Sequence, residues 1–161
     1  MRDSNPMEEI VEYLKSGHRA FKRERVRFRF EGMPSRASFL TTSREREVAV
    51  SAIQNFSGTF SDPVDVQHLC FCRLKAGEYL LPMAWAPMPE FQSLQFLILT
   101  DAPSDALIIS TEAGAESVEL VAGRTLTVRE TCRFWLGPLL AEEVFIAISG
   151  LRTDEVEGEL N

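Results

Sequence analysis

Residues 23–30 read Arg-Glu-Arg-Val-Arg-Phe-Arg-Phe, so arginine occupies every second position. Successive side chains of a β-strand point to opposite faces, and a period of two therefore predicts a half-buried strand. One face would carry Glu24, Val26, Phe28 and Phe30, and the other would carry four arginines. The pattern predicts an extended segment with a cationic surface near the start of the chain.

Short apolar segments separated by Gly, Pro, Asp and Ser continue to residue 149. Regular spacing of this kind is typical of antiparallel β structure, in which short turns join neighbouring strands into a meander. Residues 96–99 are apolar on both faces, so they should form a central strand that is covered on each side. The predicted strands are 25–30, 36–41, 47–53, 64–74, 78–83, 94–100, 106–110, 117–121, 124–130 and 143–149.

Two segments are harder to assign. Residues 82–89 contain three prolines, which lack the N–H that an interior strand needs, and they are interpreted as a loop. Residues 133–143 are compatible with a strand, a turn at Gly137-Pro138 and one helical turn before the last strand.

One helix is well marked near the N-terminus. Asn5 can cap it and Pro6 suits its first position, while Met7, Ile10, Val11 and Leu14 repeat with helical spacing. Gly17 is expected to end it. The sequence thus predicts a helix over 5–16, a β-rich body over 25–150 and an acidic tail over 151–161, within a single domain of residues 1–161.

The expected fold class is mainly β. We expect an antiparallel β-barrel, closed or nearly closed, or a strongly curved sheet, with one N-terminal α-helix packed against it; an α+β fold is the alternative. The chain has 161 residues and is 45% hydrophobic and 25% charged, which is ordinary globular usage. No apolar stretch is long enough to span a bilayer, and residues 1–15 lack the apolar region of a signal peptide. We expect a cytoplasmic protein without membrane insertion.

The sequence offers few groups for catalysis or metal binding. Cys70, Cys72 and Cys132 lie in apolar strand-like contexts and are expected to be reduced core residues. The only histidines are His18 and His68, so no metal site, no cofactor and no catalytic residue is predicted. A pair formed by His68 and Cys70 would be about 7 Å apart along a strand, too far for direct proton transfer. An enzyme or lyase acting on a hydrophobic ligand inside a barrel remains an alternative, marked by a cavity lined by Cys70, Cys72 or His68.

Basic residues are concentrated in the first third of the chain. Residues 1–60 hold 11 Lys or Arg and 8 Asp or Glu, whereas residues 61–161 hold 6 and 16. Arginine forms bidentate contacts with carboxylates and phosphates. The main functional hypothesis is therefore a non-catalytic adaptor that docks an acidic protein partner. The residues predicted to bind the partner are Arg19, Arg23, Arg25, Arg27 and Arg29.

Three alternatives exist for this basic segment. The arginines could pair with Glu45, Glu47 or the acidic second half of the chain, or they could bind a phosphate-bearing small ligand of nucleotide type. Nucleic acid is disfavoured because no aromatic residues interleave with the arginines on their face. The oligomeric state is not determined by the sequence.

A second candidate surface is apolar and lies in the proline-rich segment. Its residues could complete the core, or they could form an adaptable patch that docks another protein. These residues are Met83, Trp85, Met88 and Phe91.

Residues 7–60 resemble PilZ-type domains and the related N-terminal domains of flagellar-brake proteins. Arg19 and Arg23 are similar to the R-x-x-x-R element of that family, and the order of helix and predicted strands is also similar. A second family element, [D/N]-x-S-x-x-G, is matched by Asn55 and Ser57 but has Phe60 in place of glycine. The resemblance implies a regulatory β-barrel and cyclic di-GMP as a ligand. A second similarity, at residues 133–139, is to lipocalin-like phycobilin lyases.

Overall fold

The computed structural model describes residues 6–23, 37–40, 44–54, 60, 62, 64, 68–89 and 91–151. The arginine-rich segment 25–30 lies outside these residues, and so does the acidic tail from residue 152. Among the residues described, no helix is both long and apolar enough to cross a membrane.

The described residues contain two α-helices, where the sequence predicted one. Helix α1 spans Pro6–Ser16 and is followed by a short 3-10 helix, His18–Ala20. Helix α2 spans Arg44–Gln54, and the strand predicted over 47–53 is therefore wrong.

The reason for this error is that the buried residues of α2 also follow a helical period. Arg46, Ala49, Val50 and Ile53 stand at positions i, i+3, i+4 and i+7, and all four are buried. The acidic residues in its first turn also favour a helix, because they complement the positive end of the helix dipole.

The described strands form two sheets, and the larger has six antiparallel strands in the order β1-β2-β3-β10-β5-β8. Its strands are β1 Lys22–Arg23, β2 Ser38–Leu40, β3 Leu69–Lys75, β5 Leu94–Ile98, β8 Thr125–Val128 and β10 Glu143–Ser149. The smaller sheet has four antiparallel strands in the order β4-β9-β6-β7. Its strands are β4 Leu80–Trp85, β6 Ala102–Thr111, β7 Gly114–Leu120 and β9 Cys132–Leu136.

The chain passes repeatedly from one sheet to the other between β3 and β10. Of the described strands in this stretch, only β6 and β7 are consecutive and also pair with each other, whereas β1, β2 and β3 before it pair in sequence order. Eight strands wound in this way through two facing sheets have jelly-roll topology. The described strands thus form two separate sheets rather than a closed barrel, and the meander is also wrong. The coarser prediction, a mainly antiparallel β protein with an N-terminal helix, is confirmed.

Two apolar layers hold the molecule together. One lies between the sheets, where Phe96 of β5 meets Phe134 of β9 edge to face with ring centroids 5.2 Å apart. The other lies between the six-stranded sheet and the helices, which contribute Ile10, Leu14, Val50 and Ile53 among others. Strand β5 runs between β10 and β8 and is buried on both faces, as its apolar sequence predicts.

The proline-rich segment is in part a strand. Residues 80–85 form β4 at the edge of the smaller sheet, with a shift in register between Leu80 and Met83 that accommodates Pro82. The interpretation of this part as a loop is wrong, although the expectation that its proline excludes an interior strand is met. Strand β6 likewise begins at Ala102, before the predicted start at residue 106, with a register shift between Ala102 and Ala106.

Candidate functional site

Of the five arginines predicted to bind a partner, the structure describes two. Arg19 lies exposed in the short 3-10 helix, and Arg23 lies in β1. Arg25, Arg27 and Arg29 fall outside the described residues. The strand face predicted to carry Arg23, Arg25, Arg27 and Arg29 stays a prediction.

The four apolar residues of the proline-rich segment pack inward. Trp85 and Phe91 are buried between the sheets, and Met83 and Met88 pack against the same core. The backbones of Met88 and Phe91 hydrogen-bond to each other in both directions, which folds the segment back on itself. This placement agrees with the alternative in which the segment completes the core.

The three cysteines are buried, and His68 packs against an aromatic ring. Cys70 and Cys72 are fully buried in the core between the sheets, and the three buried cysteines form no disulfide with one another. Burial raises the pKa of the Cys70 thiol to about 12. His68 packs edge to face on Phe91 with ring centroids 4.4 Å apart. A nucleophilic thiolate at Cys70 is therefore disfavoured at neutral pH.

The strongest candidate is a cleft between the edges of the two sheets, as the described strands define them. Strands β7 and β8 are the terminal strands of their sheets, and the turn at 121–124 connects them. The cleft has a volume of about 410 Å³ and lies between residues 111–116 of the β6–β7 hairpin and residues 126–130 of β8 and its continuation. Its apolar lining comes from Ile109, Leu126 and Val128.

A group of hydrogen-bonded polar residues supports β8 beside the cleft. Gln95, which is 1% exposed, accepts hydrogen bonds from the Asp62 backbone N–H at 2.9 Å and from the Thr127 hydroxyl at 3.4 Å. Its amide nitrogen donates to the Asp62 carbonyl oxygen at 3.2 Å. Because a buried amide needs such partners, these bonds fix the backbone at Asp62 against β5 and β8.

The charges around the cleft favour a cation. Arg129 lines the cleft, but its guanidinium donates to the Asp62 carboxylate at 2.7 Å. This bond, with a second from Ser93, lowers the pKa of Asp62 below its ordinary value, so both partners of the ion pair are charged at neutral pH. Glu116 and Glu130 also line the cleft and are exposed. With Arg129 engaged by Asp62, the two glutamates give the cleft an excess of negative charge.

A sequence signal for part of this site exists, but it does not locate the cleft. The alternation of Thr125, Thr127 and Arg129 with Leu126 and Val128 predicts a strand with one polar face, and β8 has that form. The sequence alone does not bring β8 beside the 111–116 hairpin, because that contact depends on how the two sheets face each other.

Comparison with known proteins gives structural similarity only. No protein-family model matches the sequence, and no curated protein matches it. Among solved structures, a prolyl-4-hydroxylase of Pseudomonas putida is similar with a TM-score of 0.58 and 12% identity, over 91% of this chain and 86% of that chain. A cupin domain of Drosophila melanogaster CENP-C has a TM-score of 0.47 and 7% identity, over 91% and 98%. A cupin domain of Bordetella pertussis has 0.37 and 18%, over 52% and 80%.

The similarity to the hydroxylase is one of overall fold. It contradicts the hypothesis of a non-catalytic adaptor that binds an acidic partner through an arginine-rich face, and also the PilZ-like regulatory description. The fold is instead shared, at a TM-score of 0.58, with a prolyl-4-hydroxylase. The similarity of Arg19 and Arg23 to the R-x-x-x-R element is a separate point and stays a prediction.

Proposed function

We propose that this chain is a substrate- or ligand-binding jelly-roll domain and that its cleft binds a cationic group attached to an apolar body. The observation that carries the proposal is the combination of an apolar lining with two exposed carboxylates, Glu116 and Glu130, around a cleft whose arginine is already paired. A ligand with an amine or guanidinium group matches this arrangement.

The size and lining of the cleft support this proposal. Small-molecule sites usually have volumes of about 300–1,000 Å³ and combine apolar walls with a few placed polar groups. The cleft has about 410 Å³, apolar residues from both sheets and polar groups from Thr111 and the two glutamates. Charged hydrogen bonds to a carboxylate would orient the cationic end, and Ile109 and Leu126 would contact the apolar part.

Because the chain is structurally similar to a hydroxylase, we ask whether its residues could bind a metal ion. Non-haem iron oxygenases hold the metal with two histidines and one carboxylate. This chain has two histidines in all, and the described residues contain no group of three His, Cys, Asp or Glu side chains that could hold a metal ion. His68 lies against Phe91. The described residues do not fit such a site, and we assign no metal-dependent step to this chain.

The test is a titration followed by backbone amide NMR, with butylamine and butylguanidine as cationic probes and butyrate as the anionic control. We expect the cationic probes to shift the signals of residues 113–116 and 126–130 in a saturable manner, and butyrate to leave them unchanged. Glu116→Gln and Glu130→Gln should each weaken binding by about fivefold to tenfold, or about 1–1.4 kcal/mol.

Glu119→Gln is the matched control. Glu119 is exposed on the same strand as Glu116 but does not line the cleft, so its variant should bind the probes normally. Absence of saturable shifts with both cationic probes, or equal binding of butyrate, would overturn the proposal.

A further inference from the structure

Strand β7 has an edge without a strand partner among the described residues. It pairs with β6 on one side, in a register that runs from Ala102↔Leu120 to Thr111↔Gly114, and it is the last strand of its sheet. A free edge presents unpaired N–H and C=O groups that can accept another strand. Near the C-terminal end of β7, Arg124 Nη1 donates a hydrogen bond of 3.5 Å to the Glu119 carbonyl oxygen. The part of the β7 edge that could receive another strand is therefore Gly114–Val118.

The other described edges are less suited to receive a strand. Edge strand β4 contains Pro82 and a shift in register, both of which interrupt regular pairing. Strand β1 has two residues and β8 has four, whereas β7 has seven. The longest regular edge is therefore the one that borders the cleft.

The negative charge along the β7 edge favours a basic binding partner. Glu112, Glu116 and Glu119 are exposed on the hairpin and strand that form it. A second copy of the chain pairing antiparallel here would place acidic side chains near one another, and like charges across strands are destabilising. A basic segment would instead place its cations beside these carboxylates.

We propose that the ligand of the cleft is an extended peptide segment rich in Lys or Arg, which adds to the β7 edge as a further strand. Strand addition takes its affinity from main-chain hydrogen bonds and its specificity from pockets that receive alternate side chains. Because alternate residues of the added strand share a face, every second side chain would reach toward the cleft and Glu116. This inference rests on the proposed function and specifies its ligand.

The experiment uses the full chain and the peptide acetyl-Val-Lys-Val-Lys-Val-amide, with Glu in place of Lys as the acidic control. We expect the basic peptide to bind at least about tenfold more tightly than butylamine, or about 1.4 kcal/mol. The acidic peptide should not bind. Hydrogen exchange should slow at alternate amides within 114–118 when the basic peptide is bound.

Backbone methylation distinguishes strand addition from capture of the side chain alone. One peptide is N-methylated at its lysines and another at its valines. Only one of these two sets of N–H groups can face β7, so one methylated peptide should lose binding by about tenfold or more and the other should retain it. Equal affinity of the two methylated peptides would overturn strand addition.

The outcomes separate this inference from the proposed function. Butylamine binding that depends on Glu116, without any gain for the basic peptide, would refute the peptide and leave the cationic cleft in place. Failure of the amines together with peptide binding that is unaffected by Glu116→Gln would refute the proposed function. Sedimentation of the free chain should show no dimer that dissociates on addition of the basic peptide. A dimer of that kind would mean that a second copy of the chain occupies the β7 edge, and it would refute the inference.

Discussion

The indole Nε1 of Trp85 donates a buried hydrogen bond of 2.9 Å to the carbonyl oxygen of Gly150. Trp85 ends the edge strand of the smaller sheet, and Gly150 follows β10 of the larger one. The bond therefore joins the two sheets, which have no described strand in common. A buried carbonyl that loses its donor costs about 1–3 kcal/mol.

Trp85→Phe should lower the free energy of unfolding by about 1–3 kcal/mol, because it removes this donor and leaves a small space. Urea denaturation measures the change. Trp135→Phe is the control, since Trp135 is only half-buried in the neighbouring strand β9. Equal losses for the two variants would show that the hydrogen bond to Gly150 contributes nothing specific.

Alanine variants of Gly137 and Gly114 form a matched pair that measures the loss of stability caused by adding a Cβ atom. Both have positive φ, +136° and +132°, so alanine is unfavourable at either position. A Cβ at Gly137 would overlap Tyr79, whereas a Cβ at Gly114 would meet nothing within 4 Å. Gly137→Ala should therefore be less stable than Gly114→Ala by about 1–3 kcal/mol in urea denaturation. Similar stabilities would contradict the close approach of Gly137 to Tyr79.

Asp105 should be more important for stability than its exposed neighbour Asp101. The buried Asp105 carboxylate accepts hydrogen bonds from the backbone N–H groups of Leu140 at 2.8 Å and Ala141 at 3.0 Å. Asp101 accepts one, from Ala122 at 2.8 Å. Asp105→Ala should cost about 2–4 kcal/mol, because two donors lose their acceptor, and should speed amide exchange at residues 140 and 141. Asp101→Ala should leave those two amides unchanged, and faster exchange there in this control would contradict the assignment.

Cys70 should be inert in the folded protein. Burial raises the pKa of its thiol to about 12, so it stays protonated at neutral and mildly alkaline pH, and it is out of contact with solvent. A thiol-disulfide exchange reagent should label it only as fast as the protein unfolds, and urea should accelerate the labelling. Rapid stoichiometric labelling of Cys70 without denaturant would contradict this placement and would reopen the alternative of a reactive thiol.

The Asp62–Arg129 ion pair predicts a pH dependence with a defined sign. The pKa of Asp62 is lowered in the folded protein, so its ionised form stabilises the fold above the unfolded value near 3.8. This contribution is lost as the pH falls below that value and through the folded pKa. The stability difference between wild type and Asp62→Asn should therefore shrink on acidification. An NMR titration in which Asp62 protonates above 3.8 would contradict the predicted direction.

Local patterning predicts much of the strand content, because a strand that buries one face must alternate and one that buries both must be apolar throughout. Strand β10 has the predicted bounds, and β5 has the predicted central position. Local patterning does not predict helix α2 at residues 44–54. A short amphipathic segment is compatible with the period of a strand and with that of a helix. Its helical form depends on contacts such as the 3.1 Å hydrogen bond from Arg46 Nε to the Leu69 carbonyl oxygen.

The sequence by itself determined that this chain is mainly β with an N-terminal helix, since periodicity and turn residues act over a few positions. Only the tertiary structure decided that the strands form two facing sheets, that Trp85 joins them, and that residues 111–116 and 126–130 enclose a cleft. Those features depend on contacts between residues far apart in the chain, which local side-chain preferences do not specify. They follow from the burial of both apolar layers at once.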